Sequence, residues 1–477
     1  MHRLCCNIMH RCIYYMVKGC GNLEIFTSIN DAVNSFVWGP VMLILLIGTG
    51  LYFTVRLGFM QFCKFGYILK NTIATVFCGK KRVAGAAVTP FQALTTALAG
   101  TMGTGSIVGV ATAITTGGPG AVFWMWVSAL FGMMTKYAEI VLAVNYREKN
   151  SKGEWCGGAM YYIKNGLGQK WLASVFAFAA ALAAFGIGNM TQGNSIAGAM
   201  YGTFGIPHIT TGVVVAVLVA FTIIGGVKRI GSITEKIVPF MSLFYIICSL
   251  LVICMNWRSI MPSLSLVFSN AFTPSAAVGG FLGAGVMKAI QAGIARGVFS
   301  NEAGLGSAPI AHAAADTKHP VQQGMWGVFE VFADTIMVCT CTAMVILTSG
   351  LWSSGLKGAD LTMAAFSQSL TGMGGIFITV ALFFFAFSTI IGWSYYGEKS
   401  FEYLFGEKYI IFYRVAFIVV SLIGAVSELE LVWSVSDTLN GIMAIPNLIG
   451  VLGLSGVVAR LTKEYFSKKN KIWVKAR

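Results

Sequence analysis

The feature that most constrains this chain is how often it stays apolar for about 20 residues, the length at which a helix crosses a bilayer core. Eleven such stretches lie near 35–56, 90–115, 119–144, 171–200, 207–227, 234–256, 278–300, 322–349, 371–397, 408–427 and 431–459. Only 11% of the residues are charged, against about 25% in soluble domains, so the chain has too little polar surface to face water. The expected fold is an all-α polytopic membrane protein with about eleven transmembrane helices. Period-two strands are absent, which excludes a membrane barrel.

The basic residues then set the orientation. Connections 58–89, 146–170, 228–236, 300–321 and 398–407, with the segment 460–477, carry most of the Lys and Arg, whereas the opposite set carries Arg258 and Lys357. This bias places the first set and the C-terminus in the cytoplasm and accounts for most of the net charge of +15. The charge therefore reads as topology. No basic face on a soluble domain points to nucleic acid. The expected organisation is a poorly constrained extension at 1–30, a single transmembrane domain at 31–462 and a basic cytoplasmic tail at 463–477. The eleven cysteines form no CxxC pair and no zinc spacing. Five histidines, two of them in the first ten residues, give little basis for an intramembrane enzyme.

With the first span set aside, ten remain, and glycine interrupts the first and sixth of these. The first contains Gly103-Thr104-Gly105-Ser106, and the sixth falls in the glycine-rich region 279–307. Gly105 and Gly109 also form a GxxxG, which suits close helix packing. Two breaks five helices apart match a five-plus-five inverted repeat, whose broken helices meet at a midplane binding site in secondary transporters. Freed amides at such a break suit a carboxylate, and freed carbonyls suit Na⁺. The pattern matches no phosphate loop.

GGPGAVFWMWVSALFG at 117–132, TPFQALTTALAG at 89–100, ARGVFSNEAGLGSAPIAHAAA at 295–315 and FFFAFSTIIGWSYYGE at 383–398 resemble the alanine or glycine:cation symporter family. The likeness runs in order from about residue 31 to 462. It implies a leucine-transporter-type fold and transport of alanine or glycine with Na⁺, sometimes H⁺. One departure stands out: the family usually has Asn after GTG, where this chain has Ser106.

The expected substrate contacts are the backbone at Gly103, Thr104, Gly105 and Ser106 for the carboxylate, Gln192 for the ammonium group, and Trp393 as the wall that limits side-chain size. Asn194 points to another helix face. Ser388 and Thr389 match the family's cation pair between the first and eighth core helices. Arg296, Glu302 and Asp334 are charged at depth and are candidates for a gate or coupling site, with Arg296 expected to face Glu302 or Asp334. His312 is given no catalytic role. The expected function is Na⁺-driven import of alanine or glycine across the cell membrane by alternating access, with an H⁺-coupled small amino acid permease as the alternative. No cofactor beyond Na⁺ as coupling ion and no obligate protein partner is expected.

Overall fold

The computed structural model describes residues 22–77, 88–272, 284–427 and 429–475. It is helical almost throughout. Eight helical stretches among the described residues are long and apolar enough to cross a membrane. The first stretch joins α1 (Asn22–Val37) to α2 (Pro40–Arg56), so helix begins inside the segment expected as an extension. Asn30 and Asn34 tie it down through hydrogen bonds to Ser434 and Thr438.

Two further helices, α3 (Pro90–Thr101) and α4 (Val108–Gly117), share one apolar segment but are separate. Helix α3 starts as its sequence dictates. Thr89 and Gln92 form a reciprocal capping box, and Pro90 occupies the first turn, where its missing N–H costs nothing. Next come α5 (Ala121–Asn145), a two-residue hairpin of β1 (Glu148–Lys149) and β2 (Trp155–Cys156), and α6 (Lys170–Phe185). A π turn at Gly186–Met190 joins α6 to α7 (Thr191–Phe204). Then follow α8 (His208–Ile223), α9 (Gly226–Met255) and α10 (Ala284–Asn301). Helix α11 (Ala308–Ala313) is short, and a second π segment at Phe332–Cys339 joins α12 (Pro320–Val331) to α13 (Thr340–Ser349). The chain closes with α14 (Gly358–Ser369), α15 (Met373–Phe405), α16 (Ile410–Val426), α17 (Leu429–Gly453) and α18 (Ser455–Lys475). The basic C-terminal segment is thus helix where a tail was expected.

The expected cytoplasmic connection at 300–321 is not a surface loop. Ser300 through Ala315 is buried throughout. Its apolar and small residues pack as a broken helix pair, so Glu302 and His312 lie inside, while Asp316 and Lys318 beyond it are exposed. Part of the sixth glycine-rich region, residues 279–283, lies outside the described residues. Lys288 is exposed near the start of α10.

Helices α8, α9 and α16 expose large apolar side chains such as Phe221, Phe240, Leu250 and Phe412. That is the pattern of a lipid-facing layer, because lipid tails ask for no polar cover. The inner layer is α3, α5, α10, α12 and α15, which pack on one another and on α6 and α7. One close backbone approach in it is between α3 and α15. A Cβ on Gly392 would lie 2.8 Å from the Gly100 nitrogen and 3.1 Å from the Thr96 carbonyl oxygen. Backbone cannot yield there as a flexible side chain could. Gly392→Ala is therefore expected to destabilise the fold by about 1–3 kcal/mol, the usual cost of overpacking. Gly48→Ala, with nothing among the described residues within 4 Å of the new atom, should be neutral. Thermal unfolding of the detergent-solubilised protein distinguishes the two.

Candidate substrate and ion site at two helix breaks

The first break runs from Met102 to Ile107 and holds one turn of 3₁₀ helix at Thr104–Ser106. Backbone groups released in an apolar interior need other partners, and here they find side chains. The Ala99 carbonyl accepts from Thr389 Oγ1 at 2.8 Å, and the Ser106 carbonyl accepts from Thr342 Oγ1 at 2.8 Å. The Thr104 N–H donates to Gln192 Oε1 at 3.1 Å. Gln192 Nε2 in turn donates to the Ile187 carbonyl, which the π turn leaves accessible. Gln192 therefore holds the break open from α7. The Thr104 hydroxyl is buried and has no hydrogen-bond partner among the described residues.

The second break, between α10 and α11, turns on three left-handed residues: Glu302 at φ 55°, Gly304 at φ 95° and Gly306 at φ 77°. Glycine adopts this conformation freely, whereas for Glu302 it is costly. The two breaks meet. Ser106 Oγ and Ser300 Oγ are 3.1 Å apart, and both donate to Asp334, Ser106 at 2.7 Å and Ser300 at 2.9 and 2.8 Å. Thr335 Oγ1 adds a bond of 2.8 Å to Asp334 Oδ2. The second π segment carries Asp334 and Thr335. Among the described residues no Lys or Arg forms an ion pair with this carboxylate.

The Ser388 and Thr389 hydroxyls both bond back to the Phe385 carbonyl, at 2.8 and 3.0 Å, and Thr389 also reaches α3. Gly103 lies in the same corner. A Cβ on it would stand 2.3 Å from Thr389 Oγ1 and 3.1 Å from Gln192 Oε1. Trp393, one turn beyond Thr389, is fully buried and packs against Gly188, one turn before Gln192. The tryptophan is thus buried between α15 and the π turn and is not an interfacial anchor.

The expected pairing of Arg296 with Glu302 or Asp334 is not what the structure shows. Arg296 forms a two-point ion pair with Asp437 of α17, at 2.5 and 3.1 Å. Its guanidinium also stands 5.1 Å from the centre of the Trp433 ring, which stacks on Phe299 at 5.0 Å. Helix register explains the difference. Arg296 and Ser300 are one turn apart, so the arginine sits above the breaks and faces α17. Glu302 lies past the point where the helix turns away and bonds Trp393 and Ser307.

Asn194 donates to the carbonyls of Gly424 and Ser427, as helix glue. His312 joins a buried network in which Glu330 meets both His312 Nε2 at 2.9 Å and Lys136 Nζ at 3.3 Å. Sequence reasoning missed Ser300, Thr335, Asp437 and Asn440. Asn440 is fully buried, and neither end of its amide has a hydrogen-bond partner among the described residues. It lies on the face of α17 between Ser436, which bonds Thr191, and Asn447, which bonds the Gly304 carbonyl. A polar residue inside a span, as Asp437 and Asn440 both are, was the available signal.

The family model for the Sodium:alanine symporter family matches residues 23–475. The chain belongs to the sodium:alanine symporter family. The sodium/alanine symporter AgcS of Methanococcus maripaludis is 52% identical over 92% of this chain and 97% of its own. An uncharacterized transporter of Haemophilus influenzae is 50% identical over 92% of this chain and 96% of its own. Among solved structures, MhsT in complex with L-phenylalanine superposes with a TM-score of 0.56 at 13% identity, covering 80% of this chain and 99% of that one. That likeness is one of fold. Members of this family are transporters, so the chain is a multi-pass membrane transporter and not an enzyme.

Two outcomes follow from this geometry. Gly103→Ala should abolish substrate uptake while the protein still folds, because the new methyl displaces Thr389 and Gln192 at the break. Charge reversal at Arg296 or Asp437 alone should reduce uptake at least tenfold. The exchanged pair, Arg296→Asp with Asp437→Arg, should recover part of it. Uptake in proteoliposomes, normalised to monodisperse protein, measures both.

Proposed function

We propose that this transporter imports a small neutral amino acid, alanine or glycine, together with Na⁺ across the cell membrane, by alternating access. The supporting observation is the meeting of two helix breaks at one buried carboxylate: Ser106, Ser300 and Asp334 within hydrogen-bonding distance of one another. In this reading α3 with α4, and α10 with α11, are the first and sixth helices of a five-plus-five inverted repeat of leucine-transporter type. The span α1–α2 stands outside the repeat, and the C-terminus is cytoplasmic.

The substrate carboxylate would lie against the backbone of Gly103, Thr104, Gly105 and Ser106, where the Thr104 hydroxyl is free to donate. Gln192 lines the opposite side, and Trp393 limits the side chain to about a methyl group. Na⁺ seeks oxygen ligands. One set is Ser388, Thr389 and the Ala99 carbonyl, already drawn together by hydrogen bonds. A second set is Asp334 with its three hydroxyls, which couples the ion to both breaks. Arg296 and Asp437, over stacked Phe299 and Trp433, close the external side. One Na⁺ moving down 100 mV releases roughly 2.3 kcal/mol. That sustains about fiftyfold accumulation at about 1.4 kcal/mol per tenfold.

Uptake of labelled alanine into proteoliposomes tests this reading. An inward Na⁺ gradient should drive accumulation above equilibrium, and a pH gradient without Na⁺ should not. Glycine should compete well and leucine poorly. Asp334→Asn should raise the Na⁺ concentration for half-maximal uptake tenfold or more. Accumulation that ignores Na⁺ would defeat the proposal.

A further inference from the structure

Glu302 was a candidate for a gate or coupling site on account of its charge at depth. Its surroundings give it different work. The residue is fully buried at the second break, and its backbone holds φ 55° without being glycine. A conformation that a side chain rarely adopts persists where neighbouring contacts enforce it, and such positions cluster at functional sites. The contacts here are two hydrogen bonds. Glu302 Oε1 accepts from the Trp393 indole N–H at 2.7 Å, and Oε2 accepts from the Ser307 hydroxyl across the same break.

Trp393 is held equally firmly on its other side. A Cβ on Gly188 would lie 2.2 Å from the Trp393 Cβ and 2.5 Å from its Cγ. The indole root is therefore seated directly on the backbone of the π turn, and Tyr396 meets the ring edge-on with centroids 5.4 Å apart. The ring has one donor, and Glu302 takes it. A buried indole N–H without an acceptor would favour another rotamer. Between Gly188 and Glu302, Trp393 is held in one position against the π turn that leads into Gln192.

We propose that Glu302 is a positioning residue for substrate selectivity: it clamps Trp393 as the wall that excludes side chains larger than a methyl group. The inference rests on the substrate reading given above. It also ties selectivity to the transport cycle. Glu302 and Ser307 are the two ends of the α10–α11 break, so a movement of α11 that opens the site loosens the wall at the same moment. The clamp needs acceptor atoms and not a net charge. Glutamine keeps a carbonyl oxygen for the indole N–H, and the Ser307 hydroxyl can reverse to accept from the amide.

The test measures competition by glycine, alanine, serine and leucine against labelled alanine in proteoliposomes under a fixed Na⁺ gradient. Glu302→Ala should raise the potency of leucine relative to alanine by tenfold or more. Trp393→Phe keeps the bulk and loses the donor, and it should produce the same relaxation. The double variant should be no more relaxed than either single one, and Glu302→Gln should keep the selectivity of the unmodified protein. Should Glu302→Ala fail to fold, Trp393→Phe with Glu302→Gln carries the comparison alone. Unchanged selectivity in Trp393→Phe, or a Glu302→Gln variant as relaxed as the other two, would overturn the clamp. Absence of Na⁺-driven alanine uptake in the unmodified protein would instead defeat the substrate reading, which separates the two failures.

Discussion

Unpaired backbone groups in a solvent that offers them no hydrogen bonds are the constraint on which the rest of this structure depends. A transmembrane helix avoids the problem by satisfying itself. Helices α3 and α10 give up that solution at their ends, and the surrounding residues are chosen to answer for it. Threonines on α13 and α15 reach the freed carbonyls of Ser106 and Ala99, and an amide on α7 receives the freed N–H of Thr104. The hydroxyls and amides of the inner layer are thus explained mainly by the breaks they serve. Thr104 and Asn440 are among the buried groups that keep a polar atom without a hydrogen-bond partner among the described residues.

Buried charge follows the same logic with stricter terms. A charge far from water is tolerated when paired or hydrogen-bonded. Glu330 has both Lys136 and His312, Arg296 has Asp437, and Glu302 has two neutral donors. Asp334 differs, since its hydrogen-bond donors among the described residues are three hydroxyls and it lies where both breaks meet. This contrast between Glu330, paired with a lysine and a histidine, and Asp334, held by hydroxyls, separates a residue that holds structure from one suited to holding an ion.

Much of this was legible in the sequence because its signals were local. Apolar runs located the spans, and glycines with hydroxyls marked both breaks. The partners across space were not legible. Arg296 meets Asp437 from a helix 141 residues away, and nothing in either local stretch announces it. The 300–321 segment misled for a related reason. Its glycines and charged groups read as a loop by composition, yet the three left-handed residues fold it inward, where composition has no say. The π turns were also invisible, although both Gln192 and Asp334 depend on them.

Those π turns carry a consequence for how such sequences can vary. Each accommodates one more residue than a regular helix would over the same rise, and so resets the angular phase of everything that follows. Gln192 faces the first break, and Asp334 the second, because of that offset. A single-residue deletion near Gly186 or Phe332 would leave span length and hydrophobicity almost untouched. It would nonetheless swing the downstream face by about 100° and aim the amide and the carboxylate at lipid.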